Sequence, residues 1–323
     1  MVEVVRRTIG IGVAAMLLSS FAFATSGPFA KSLIEAGWSP GAAVLIRMAG
    51  AALLLVPLGL WQVRQDLGAL RRELPLLFWY GLLAVGAAQL GYFQAVEHLT
   101  VGVALLIEYL GIVIVVLWVW LLTRRRPHAL TGLGIVLAVV GLVLVLDISG
   151  QSTPSLVGVA WATLAAVGLA GYFVLAGRET RLPPLTFAAV GLLFGALDLT
   201  VLGVLGLIEM HTGAWTVALA GASVPAWVSL LELVLVAAAA AYVIGVFATR
   251  RLGSTLASFL GLTEVLFAVL VAWVVLGELP GPWQLAGGLV ILGGVVAVRV
   301  GESRRGEAVE ADAVDFDTPV PVA

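Results

Sequence analysis

Ten apolar runs follow one another with almost nothing between them: 8–31, 39–61, 74–97, 100–122, 130–147, 156–177, 184–208, 227–249, 254–276 and 282–300. Each is close to the roughly 20 residues that a helix needs to cross a bilayer. Within lipid every backbone N–H and C=O must find its partner inside the protein, so runs of this length fold as spanning helices. The composition agrees, with 61% hydrophobic and 11% charged residues, against about a quarter charged in soluble domains. A soluble globular enzyme is excluded, and no basic, aromatic surface suggests nucleic acid. With no cysteine in the chain, disulfides and thiolate sites are excluded too. The longest connection, near 209–226, carries Glu209, His211, Gly213, Gly221 and Pro225 and reads as an exposed loop.

The basic residues set the orientation, because they collect on the cytoplasmic side. Arg6, Arg7, Arg64, Arg71, Arg72, Arg124, Arg125, Arg126, Arg178, Arg181, Arg250, Arg251, Arg299, Arg304 and Arg305 fall on one side, fifteen of the seventeen Lys and Arg. Lys31 falls on the other, and Arg47 lies inside the second span. Both termini of this multi-pass membrane protein are therefore expected in the cytoplasm. The start has the look of a signal peptide, with Ala22-Phe23-Ala24 as a cleavage site. The repeat described next needs the first span, so it is expected to be retained. The segment 301–323 carries Glu307, Glu310, Asp312, Asp315 and Asp317 and two prolines, and reads as a disordered acidic tail.

A shift of 153 residues lays 98–141 on 251–294 without a gap: Leu99 on Leu252, Ala104 on Ala257, Trp120 on Trp273, Pro127 on Pro280, Gly134 on Gly287 and Gly141 on Gly294. Spans 4–5 thus repeat as 9–10. Earlier spans align more weakly, with Pro40 on Pro184 at a shorter offset. Units of five helices, an odd number, must enter the membrane in opposite senses. The bases agree: Arg124-Arg125-Arg126 aligns with Gly277-Glu278-Leu279, which has none. The expected architecture is an all-α integral membrane protein of two inverted five-helix repeats, 8–148 and 156–300, the plan of secondary transporters.

The segments "ASFLGLTEVLFAVLVAWVVLGELPGPWQLAGGLVILGGVVAV" and "SPGAAVLIRMAGAALLL" resemble the EamA-type proteins of the drug/metabolite transporter superfamily, over about residues 10–300. The resemblance implies a ten-helix plasma-membrane carrier, often an exporter of metabolites, amino acids or drugs. One departure stands out. Where that family often carries proline after the helix 9 glutamate and at the matching place in helix 4, this chain has Val265 and Ile112, which puts a proline-bent gate in doubt.

Four charges lie inside the spans. At 1.5 Å per residue, Glu108 sits about 12 Å below the outer end of helix 4 and Glu264 about 15 Å above the inner end of helix 9, both near the midplane. Glu264 aligns with Gly111, one helical turn from Glu108, so the acids can reach one cavity from opposite halves. A buried charge costs at least ~2.5–3 kcal/mol, and incidental retention needs a partner. The bland alternative is a tight interface along Ala257, Gly261, Ala268 and Ala272, with the acids protonated and hydrogen-bonded. Arg47, about 10 Å inside the outer end of helix 2, either pairs with Asp198 or Glu108 or binds a substrate anion. Asp198, about 9 Å from the outer face, reads as a partner, an interfacial residue or a ligand group. Gln89, Tyr92 and Gln94 in helix 3, and Tyr242, which aligns with Gln89, add a lining. Trp38, Trp61, Trp79, Trp118, Trp227 and Trp283 read as interfacial anchors, and Glu278 as a solvated helix-end residue. His98, His128 and His211 make no metal-ligand spacing.

The expected function is a carrier that moves a small organic solute by alternating access, driven by proton exchange or by the solute gradient. The partners expected are that small-molecule substrate, protons and the bilayer. No cofactor, metal or catalytic residue is expected. A passive channel or accessory subunit is the alternative. An intramembrane lipid-modifying enzyme is less favoured, since no Gly-x-Ser-x-Gly, His-Glu-x-x-His or phosphate loop occurs.

Overall fold

A computed structural model describes residues 2–114, 129–145, 155–176, 178 and 180–316. The helices are α1 (Val2–Glu35), α2 (Pro40–Gln62), α3 (Leu67–His98), α4 (Val101–Ile114), α5 (Ala129–Val145), α6 (Leu156–Ala176), α7 (Pro184–Val204), α8 (Ala226–Gly261), α9 (Thr263–Leu276) and α10 (Pro282–Phe316). Among the described residues, six helices are long and apolar enough to cross a membrane: Gly10–Glu35, Pro40–Gln62, Leu67–His98, Leu156–Ala176, Pro184–Val204 and Ala226–Leu252. Four shorter apolar helices, Val101–Ile114, Ala129–Leu144, Thr263–Leu276 and Pro282–Val298, occupy the places of the other four expected spans. The expected ends of helices 4 and 5, with Arg124–Arg126, His128 and Trp118, lie at or beyond the edges of the described residues.

Pairing of the helices is unchanged when every number is advanced by five. Helices α5 and α10 pack together, as do α2 and α7 and α4 and α9; α1 packs on α8 and α9 as α6 packs on α3 and α4. The α5–α10 contact shows this at atomic detail. A Cβ on Gly141 would lie 2.7 Å from the Gly287 carbonyl oxygen and the Ile291 nitrogen; one on Gly294 would lie 2.7 Å from the Gly134 oxygen and the Ala138 nitrogen. The 153-residue shift carries each of these residues onto its counterpart. Residue number rises along one helix as it falls along the other, so the pair is antiparallel. Glycine allows this approach, as small residues do between membrane helices.

The irregularities repeat as well. Helix α3 opens into a π-helical segment at Tyr80–Ala87 and α8 at Leu235–Ala240; the 153-residue shift lays the second on the last six residues of the first. Helix α4 breaks at Leu110 and a further break at Leu262 parts α8 from α9, within one residue of equivalence. Both breaks tighten into i→i−3 bonds, Leu110 N–H donating to the Ile107 carbonyl at 3.0 Å and Val265 N–H to that of Leu262 at 3.2 Å. Thus the chain breaks at both places without the prolines that Ile112 and Val265 replace.

Three expectations are corrected. The 209–226 connection is largely exposed, as expected, but is not a plain loop. It holds a two-stranded antiparallel hairpin, Thr216–Leu219 with Ala222–Pro225, turned by Ala220 (φ 50°) and Gly221 (φ 78°), the positive-φ pair that two-residue hairpins favour. Its neighbours tie down helix ends: Ser39 N–H donates to the His211 carbonyl at 3.0 Å, Ala214 N–H to that of Ala36 at 2.8 Å, and Ala220 N–H to that of Val275 at 2.7 Å. Trp38 is buried there, its indole N–H on the Ala214 carbonyl at 2.9 Å, and does not face lipid, whereas Trp61, Trp79, Trp227 and Trp283 are exposed. The acidic segment is helical through Phe316, because 301–316 is rich in Glu, Ala and Arg, good helix formers, and its two prolines come only at 319 and 321.

Candidate functional site

The breaks and π segments converge on one cavity of about 60 Å³, whose walls include Met16, Phe23, Gln89, Glu108, Tyr109, Tyr172, Tyr242, Gly261 and Glu264. That volume has room for about four to six waters at roughly 10–15 Å³ each. Tyr242, just past the π segment of α8, and Gly261, just before the second break, both line it.

Glu108 ends the first turn-limited piece of α4, is 5% exposed, and its carboxylate has no hydrogen bond or ion pair among the described residues. Glu264 opens α9 and reaches Tyr109, whose hydroxyl lies 2.7 Å from the Gly261 carbonyl oxygen and 3.1 Å from Glu264 Oε2. The two acids are close enough to sense each other's charge. A phenol has one proton. Since the Gly261 carbonyl only accepts, both contacts are full hydrogen bonds only if Glu264 carries a proton of its own.

Arg47 is fully buried but is not in the cavity wall. Its guanidinium donates to Gln89 Oε1 and, at 2.5 Å, to the Ala237 carbonyl, and it lies 5.5 Å from the Phe93 ring centroid. Neither Asp198 nor Glu108 pairs with it. Instead it spans the two equivalent irregularities, one residue past Ala88 in α3 and inside the π segment of α8. Asp198 sits apart, partly exposed and with an oxygen 2.7 Å from where a Gly86 Cβ would be. It lines no part of the cavity. Tyr92 is buried with its hydroxyl against Gly27 of α1, also outside the wall.

One further buried acid, Glu232, joins the interior, and the reading of Glu278 as a solvated residue is corrected. The Thr25 hydroxyl lies against Glu232 Oε1 of α8 and 2.6 Å from the Ala22 carbonyl oxygen, its one proton serving one of the two; the signal that marks Glu108, an acid within an apolar run, marks Glu232 too. Glu278, expected in solvent, pairs with Lys31, and its Oε2 accepts from Val101 N–H at 3.2 Å. It thereby joins α1, the start of α4 and the end of α9.

Fold and site together define a polytopic membrane protein built around a small polar cavity. The model of the EamA-like transporter family matches residues 10–147 and again 156–300, and the chain belongs to that family. A solved structure, titled only as that of a protein, has a similar fold, with a TM-score of 0.55 and 20% identity over 91% of this chain and 97% of that one. No curated protein matches the sequence.

Proposed function

We propose that this protein is a secondary transporter in which two five-helix halves, 8–148 and 156–300, cross the plasma membrane ten times in opposite senses with both termini in the cytoplasm. It moves a small organic solute, outward, by alternating access at the cavity of Glu108 and Glu264. The observation that carries this reading is the meeting of both acids, one from each half, beside equivalent breaks in α4 and α9. Broken helices at the repeat interface form binding sites in such carriers, and the antiparallel α5–α10 pair supports the inversion. Membership of a transporter family supports transport over enzymatic activity. The space of about 60 Å³ beside the acids is smaller than a metabolite and must widen to bind one. The Tyr109 contacts support a proton on Glu264 here, and hence proton exchange as the driving mode.

Glu264→Gln, an isostere, tests the role. The variant should fold yet lose or uncouple solute flux in proteoliposomes, with the solute taken from a thermal-shift screen. Normal flux with an unchanged pH profile would refute it. Labelling that placed the two termini on opposite faces would refute the topology.

A further inference from the structure

Within the proposed carrier, we infer that the solute is an organic cation, an amine whose ammonium group binds Glu108 among the rings of Phe23, Tyr172 and Tyr242. The inference rests on the transport reading for the solute's passage and on the cavity alone for its class.

Among the described residues the walls contain no Lys, Arg or His, so an anionic group entering the cavity meets no countercharge from them. Arg47 does not supply one. Two of its nitrogens are held by Gln89 and the Ala237 carbonyl, and a solute carboxylate would have to displace both from behind the wall. An acid, by contrast, is free. Glu108 is buried, faces the cavity and is without a hydrogen bond among the described residues, whereas Glu264 already has Tyr109. A buried carboxylate with nothing to pair with is a large penalty, which a proton or a bound cation removes.

The charge count of the interior points the same way. Among the described residues, the guanidinium of Arg47 lies within electrostatic reach of three interior acids, Glu108, Glu232 and Glu264. With Glu264 protonated and the other two acids ionised, one further positive charge is needed for neutrality. Rings complete the chemistry. Phe23 and Tyr242 meet edge to face at 4.9 Å between centroids, and Tyr172 lines the same space. Aromatic faces attract an ammonium or quaternary nitrogen most strongly where water is absent. A zwitterionic amino acid would satisfy Glu108 but leave its carboxylate against these rings.

The test is a matched series differing only in charge: 2-phenylethylamine (cation), phenylalanine (zwitterion), 3-phenylpropionate (anion) and 2-phenylethanol (neutral). Binding to the purified full chain is measured by calorimetry and flux in proteoliposomes. The amine should bind at least tenfold more tightly than the other three, and Glu108→Gln should weaken it at least tenfold while leaving the thermal unfolding midpoint in place. Gly132→Ala, at a position with open space around it, should leave binding unchanged. Equal or tighter binding of phenylalanine or the anion, no binding of the amine, or an unchanged affinity in Glu108→Gln overturns the inference. Flux of phenylalanine without the amine overturns the solute class and leaves the carrier. Amine binding without flux of any probe overturns the carrier and leaves the class.

Discussion

The α5–α10 contact predicts that two substitutions 153 residues apart will behave as one. Placing Ala at Gly141 or at Gly294 puts a methyl 2.7 Å from backbone nitrogen and oxygen of the facing helix, while ordinary contact begins near 3.4 Å. Each helix must then retreat by about 0.7 Å, the difference of those two distances, or bend. Backbone cannot swing aside as a flexible side chain can, and overpacking of this kind costs about 1–3 kcal/mol. Gly141→Ala and Gly294→Ala should therefore destabilise the protein by similar amounts. The double variant should cost less than the sum, because the separation forced by one methyl accommodates the other. Gly132→Ala and Gly293→Ala, where nothing lies within 4 Å, are controls that should be neutral or stabilise by up to ~1 kcal/mol through helix propensity. Reversible unfolding in mixed detergent micelles reads all five variants. A large loss at Gly141 with none at Gly294 would refute the equivalence of the two halves at their contact.

Tyr109→Phe keeps the ring but removes the hydroxyl shared by Gly261 and Glu264, and should cost about 1–2 kcal/mol and alter the pH profile of flux; unfolding and flux at several pH values check both. Arg47→Lys should lose about 1–3 kcal/mol, because one ammonium on a flexible stem cannot serve both Gln89 and Ala237 as the fork does; Arg47→Ala should lose more, measured in the same unfolding assay. Glu278→Gln keeps an acceptor for Val101 N–H but loses the charge opposite Lys31. The expected loss is about 1 kcal/mol, smaller at high salt, and thermal unfolding at two ionic strengths tests it.

The helical membrane fold and the internal repeat were open to inspection in the chain because bilayer thickness and the Gly134/Gly287 and Gly141/Gly294 alignments act through sequence directly. Glu108 and Glu264 were legible for a related reason: an acid in twenty apolar residues is conspicuous, and a one-turn offset keeps both on one face. What periodicity withholds is the rotation of a whole helix about its axis. Asp198 is as conspicuous as Glu108, yet α7 turns it toward Gly86, and Tyr92 one turn from Gln89 faces Gly27. Arg47 could not be fully placed because one of its two partners is the carbonyl of Ala237, and no side-chain pattern announces a carbonyl. Neither π segment is visible in its residues. The chain writes YGLLAVGA at one and LVAAAA at the other, and only the packed neighbours select the wider turn.

Those wide turns have a mechanical meaning. Each stores slack of up to one residue, and withdrawing one residue would swivel everything beyond it by about 100°, carrying Gln89 or Tyr242 round the axis while the apolar ends stay in lipid. Arg47 grips both places at once, through Gln89 and through the Ala237 carbonyl, so neither half can swivel without the guanidinium letting go of something.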